Sequence, residues 1–94
     1  MNSERKELPP GLSLTGSSRF FDEKTIPPPL LESHTLSEGK WAVIVLLEGS
    51  VWYVDLERNE ETLISSKEKY VVAPNAPHKL RIEEPMSCRI DFYK

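Results

Sequence analysis

Frequent interruption, more than any other feature, limits what this chain can fold into. Proline occurs eight times and glycine four times, and each proline fixes φ and removes a backbone donor. Between these breaks lie short apolar or alternating segments, which read as strands: Leu30–Leu36, Trp41–Leu47, Val51–Val54, Thr62–Ser65, Tyr70–Ala73, His78–Ile82 and Met86–Tyr93. They recur roughly every 8–12 residues, the spacing of a sandwich or barrel. No stretch repeats apolar residues at i, i+3, i+4 and i+7 for long enough to make a helix. The expectation is an all-β fold, with a small barrel preferred because closure removes exposed strand edges.

Within that frame, residues 1–18 read as a flexible or edge-hugging lead-in, and 19–94 as a single domain. Pro27-Pro28-Pro29 reads as a stiff extended corner feeding the next strand; a ligand for proline-recognising domains is the other reading. Trp41–Leu47 is apolar on both alternating faces, as suits a central strand covered on both sides. Glu48-Gly49-Ser50 reads as a tight hairpin that returns Val51–Val54 antiparallel, with Gly49 free to take positive φ.

Length and charge exclude several functions. Ninety-four residues and 10.8 kDa suit one domain, whose modest core would gain from a partner chain. Twelve basic against fifteen acidic residues give a net charge of −3, so no basic field exists for nucleic acid or anionic lipid. The longest apolar run, Trp41–Leu47, falls far short of the roughly 20 residues that span a bilayer. The charged start followed by Leu8-Pro9-Pro10 lacks the apolar core of a secretory leader. Cys88, the one cysteine, excludes an internal disulfide and points to a reducing, cytoplasmic setting.

Candidate chemistry centres on the two histidines, His34 and His78. On an extended strand Glu32 and His34 share a face about 7 Å apart, close enough for a carboxylate and an imidazole to reach one divalent ion. His78 shares its face with Leu80 and Ile82, so it should look inward. Two such strands lining one barrel would give a site of His34, His78 and Glu32. The alternative is that both histidines are core residues bonded to backbone carbonyls. Asp91 reads as solvent-exposed beside Arg89, or else as a further ligand. Cys88 alternates with Met86 and Ile90, the pattern of a buried small hydrophobe rather than a nucleophile. Trp41, Trp52, Tyr53 and Tyr70 could line a pocket, a subunit interface or the core. Neither a glycine-rich phosphate loop nor a serine elbow is present.

From Phe20 to the C-terminus the chain resembles small cupins related to the N-terminal domain of tellurite-resistance protein B. The resemblance is carried by Phe21 with Thr25-Ile26-Pro27, then Leu30-Leu31-Glu32-Ser33-His34, Gly39-Lys40-Trp41 and Val45-Leu46-Leu47-Glu48-Gly49-Ser50-Val51. Val72-Ala73-Pro74-Asn75-Ala76-Pro77-His78 and Ile90-Asp91-Phe92-Tyr93 complete it, and Leu8-Pro9 resembles the family's opening. It implies a cupin-type double-stranded β-helix, a small jelly-roll-like barrel. His34 and His78 match its two metal-binding histidine positions, and Glu32 its preceding carboxylate. The wider cupin pattern of His-x-His followed by Glu is replaced by Glu32-Ser33-His34, a departure that leaves the third ligand, the metal's identity and any oxygenase-type chemistry open. The resemblance does not extend to methyl transfer, which belongs to a further domain of the longer relatives. The expected cofactor is a divalent ion (zinc, nickel, iron or manganese), with a small-molecule or oxyanion ligand in a tellurite-type stress response. A metal-free binding module and a purely structural dimer are the alternatives. Homodimerisation is expected in each case, because a barrel this small gains by burying its apolar strands against a copy of itself.

Overall fold

The computed structural model describes residues 7–94, and the opening residues of the expected lead-in lie outside that range. Eight strands form two antiparallel sheets: β1 (Leu14–Ser17), β2 (Phe21–Asp22), β3 (Trp41–Glu48), β4 (Ser50–Asp55), β5 (Glu60–Ser65), β6 (Lys69–Val72), β7 (His78–Arg81) and β8 (Ser87–Tyr93). The first sheet runs β1-β8-β3-β6, with β2 also paired to β8; the second runs β5-β4-β7. Part of the lead-in is thus an edge strand, because β1 pairs with β8.

Alternation along each strand sends one set of side chains between the sheets. Ala42, Ile44 and Leu46 of β3 meet Val51 and Tyr53 of β4, Val72 of β6, Leu80 of β7 and Cys88 and Ile90 of β8. Leu46, Val51, Val72 and Cys88 are the most completely enclosed of these. Removing each such aliphatic side chain from water contributes roughly 1.5–3 kcal/mol, which gives a short chain a continuous core.

Two local expectations are corrected. Trp41–Leu47 does form an interior strand, but the turn after it is not a hairpin. β4 pairs with β5 and β7 rather than β3, so the chain crosses from one sheet to the other at Gly49. Gly49 has φ of 74°, and a Cβ there would run into the Pro85 carbonyl and Met86. The glycine therefore serves both a left-handed turn and a close backbone approach. The covering of β3 is also uneven: Val43 is buried on the outer face, Val45 half-buried and Leu47 exposed.

The second correction concerns the segment before His34. Pro28–Leu31 is a 3-10 helix rather than the start of a strand. Proline is well suited to its first turn, where the fixed φ is helical and the missing N–H would have no partner. Pro27 supplies the extended entry, and the Leu30 and Glu32 amides bond to the carbonyls of Pro27 and Pro29. Extended pairing begins only at His34, as a single bridge to His78.

Candidate functional site

Backbone hydrogen bonds bring together two histidines separated by 43 intervening residues of loop and strand. The His34 amide donates to the His78 carbonyl and the His78 amide to the His34 carbonyl, each at 3.0 Å. A third bond, from the Asn75 amide to the Leu36 carbonyl at 3.0 Å, ties the same loop to the turn that leads into β7. Asn75 makes that turn with φ of 65°, a conformation asparagine tolerates better than most residues. The Pro74-Asn75-Ala76-Pro77 turn therefore has a positional task, delivering His78 to the start of β7 opposite the His34 loop.

The two rings lie with centroids 4.2 Å apart and planes inclined at 66°. His34 is half-buried and His78 only 4% exposed. Each ring is oriented by a main-chain carbonyl two residues before it. His34 Nδ1 donates to the Glu32 carbonyl at 2.8 Å, and His78 Nδ1 donates to the Ala76 carbonyl at 2.7 Å. A carbonyl oxygen only accepts, so the proton of each neutral ring sits on Nδ1 and the lone pair on Nε2. Burial lowers the pKa of His78, the Ala76 carbonyl opposes that shift, and neighbouring His34 reinforces it. His78 is accordingly a neutral imidazole in the folded protein near neutral pH.

Both rings line a cavity of about 80 Å³ between the sheets. Its remaining walls are hydrocarbon, among them Leu30, Leu36, Ile44, Leu80 and Phe92. Tyr53 stacks on His78, with centroids 5.2 Å apart and planes 20° apart, and Tyr70 packs on Tyr53 at 4.4 Å. Burial, with the nearby Tyr70 and Asp55, pushes the Tyr53 hydroxyl well above its ordinary pKa, so it remains protonated. Behind this aromatic wall is a separate polar cleft of about 40 Å³ lined by Asp55, Arg58, Glu60 and Thr62. Asp55 is the cross-strand neighbour of His78, but its Oδ1 accepts the Glu57 and Arg58 amides and so shapes the turn after β4.

The sequence-level site is thus assembled in part. His34 and His78 meet, and His78 faces inward with Leu80 as its alternation requires. Glu32 is exposed and serves His34 through its carbonyl. The shared strand face that would have aligned its carboxylate is absent, because the 3-10 helix ends beside it. Among the described residues, no group of three or more His, Cys, Asp and Glu side chains is placed to hold a metal. Asp91 is neither solvent-exposed nor near the histidines. It is 8% exposed on the outer face of the first sheet, where it accepts bonds from Arg89 and Ser17 that hold its carboxyl below the usual range. Cys88 is fully buried, and burial raises its thiol to about 11. Trp52 lies outside the cavity, with the Arg81 guanidinium 5.2 Å from its ring centroid. Sequence reading passed over Ala42 in the cavity wall; its signal was the one small residue in the inner-face series of β3, which continues with Ile44 and Leu46.

Comparison with known proteins places this architecture. Sequence features of the TehB-like domain match residues 17–90. A protein from Escherichia coli (strain K12) superposes with a TM-score of 0.88 at 20% identity, over 95% of this chain and 96% of that one. TehB from Haemophilus influenzae gives 0.78 at 20% identity; 87% of this chain is covered, but only 31% of the longer protein. A cupin-2 domain protein from Shewanella frigidimarina gives 0.57 at 18% identity, covering 85% and 64% of the two chains. No curated protein sequence matches. The two-sheet barrel is a cupin-type fold, as the order of motifs implied. With its family features running through most of the sequence, the chain belongs to the TehB-like domain family.

Proposed function

We propose that the protein binds a divalent metal ion in the barrel through Nε2 of His34 and Nε2 of His78, leaving coordination positions open to a small ligand. The observation that carries this reading is the pair of Nδ1–carbonyl bonds, which leave a lone pair on Nε2 of two adjacent rings. Hydrogen-bonding the remote nitrogen to a carbonyl is the usual way a protein orients a ligating histidine and raises its basicity. The rings are adjacent, with centroids 4.2 Å apart, and an ion bound by both would lie about 2.0–2.1 Å from each Nε2, drawing the rings slightly apart. Imidazole donors suit zinc, iron or nickel; manganese, which prefers oxygen donors, suits the site less well. Such an ion would supply Lewis acidity to whatever occupies its open positions.

Glu32 belongs to this reading first as the residue whose carbonyl orients His34; its carboxylate as a third ligand is a separate arm of the test. An oxyanion of the tellurite type would have to be held by the metal's charge, because no cationic side chain lines the cavity. Self-association remains part of the proposal, through the outer face of the first sheet where Trp41, Val45 and Val71 are half-buried. Sedimentation at micromolar concentration tests it, and a monomeric mass rejects it.

The decisive experiment on the metal is calorimetric titration of tag-free protein with zinc, nickel, iron(II) and manganese. One equivalent should bind, with binding lost in both His34→Ala and His78→Ala. In Glu32→Gln, weakened binding identifies the carboxylate as a ligand, and unchanged binding leaves the two histidines as the only protein donors. Binding that survives both histidine substitutions, or no binding at all, rejects the reading. A metal-free binding module would instead show ligand-induced thermal stabilisation that persists in the double histidine variant.

A further inference from the structure

The cavity exists because one position is small. On the inner face of the first sheet Ala42 lies between Val72 of β6 and Phe92 of β8, its cross-strand partners. The next inner positions along β3 are Ile44 and Leu46. An alanine among such neighbours leaves the space that a branched side chain would fill, and that space opens directly against His34 and His78. The ten residues around it contribute no charged side chain and no hydroxyl, so the two imidazoles are its only polar side chains.

These two facts restrict an occupant by size and by polarity. A cavity of roughly 150 Å³ holds benzene, so about 80 Å³ holds roughly half as much, some three or four non-hydrogen atoms. One end of the occupant must be polar to meet Nε2 or an ion bound there. The other end must be apolar, since a second polar group would be buried against leucine, isoleucine and phenylalanine without a partner. An inorganic oxyanion with oxygens on every side meets the first requirement and fails the second.

We infer that this cavity is a ligand chamber for a short-chain organic molecule with one polar end, and that Ala42 sets its length limit. The inference rests on the metal reading where the polar end is a carboxylate, and stands without it where that end is a hydroxyl donating to Nε2. Both forms are testable. Protein loaded with cobalt(II), its content checked by elemental analysis, is titrated with formate, acetate, propionate, hexanoate, phosphate and selenite while the visible cobalt spectrum is followed. Affinity should rise about fourfold from formate to acetate, the effect of burying one more carbon, and collapse at hexanoate. Ala42→Leu should abolish the response at unchanged cobalt content, whereas Val72→Ala should move the preferred chain one or two carbons longer.

If cobalt does not bind, the metal reading fails and metal-free protein decides the chamber. Saturable shifts of the Ala42, Val72 and Leu80 methyl resonances with 1-propanol, absent with 1-octanol, uphold it, and their absence overturns it. On loaded protein it is overturned by affinity independent of chain length or highest for phosphate or selenite. A response that survives in folded Ala42→Leu also overturns it. Should that variant fail to fold, Val72→Ala decides alone, and an unchanged chain-length preference rejects the inference.

Discussion

Acidification should weaken the metal-free protein through His78, and the size of the effect can be bounded. In the folded state this ring is 4% exposed and neutral, and burial sets its pKa below the ordinary 6.5. The unfolded chain regains the ordinary value, so below it the unfolded state binds a proton that the folded state refuses. Stability therefore rises with pH between the depressed folded value and 6.5, and levels off above it. One such group changes stability by at most about 1.4 kcal/mol per pH unit, and by about that much in total from pH 7.5 to 5.5. Against a total stability of roughly 5–15 kcal/mol, the loss is measurable as a fall in melting temperature of up to about 5–10 °C. Urea unfolding at pH 7.5, 6.5 and 5.5 reads it directly, in a window above the ordinary carboxylate range. His78→Leu should flatten the dependence whatever it does to stability at pH 7.5. His34→Leu, run in parallel, separates the two rings. A slope that persists undiminished in His78→Leu would refute the assignment of a buried neutral imidazole.

Three further outcomes follow from the packing. Leu46→Ala, at a site 1% exposed, should lose about 2–5 kcal/mol in urea unfolding through lost burial and the cavity left behind. Gly49→Ala should cost more than about 1 kcal/mol by the same assay, because φ of 74° and the Pro85 carbonyl both oppose a Cβ. The Cys88 thiol, fully buried and raised to about 11, should be inert to a thiol reagent in native protein and react fully in denaturant.

Much of the fold was legible because strand alternation is a local signal. The apolar run at Trp41–Leu47 and the His78-Leu80-Ile82 face each declare an inward side without reference to the rest of the chain. Partner choice is not local. Glu48-Gly49-Ser50 has hairpin composition, and only the approach of Pro85 and Met86 shows that the glycine carries the chain to the other sheet. Pro27-Pro28-Pro29 suits an extended segment as well as the first turn of a 3-10 helix, and the helical choice removed the strand that would have aligned Glu32 with His34. His78 was foreseeable as an inward residue and His34 as its partner if both segments lined one barrel, but the tautomers were not, because the orienting groups are main-chain carbonyls that every residue possesses. Asp91 was misplaced for a related reason. Its polar neighbours suggested solvent, yet the Arg89 guanidinium and the Ser17 hydroxyl satisfy it under cover of the edge strand.

The central claim is that both imidazoles hold their protons at Nδ1 and present Nε2 lone pairs to one ion. Long-range proton–nitrogen NMR on nitrogen-labelled protein, repeated through a zinc titration, tests it most directly. In metal-free protein the neutral form of each ring should carry its proton on Nδ1 and leave Nε2 bare. Both Nε2 resonances should then shift together and reach completion at one equivalent of zinc. A neutral ring of either histidine with its proton on Nε2 in metal-free protein, or a shift confined to one histidine, would contradict it.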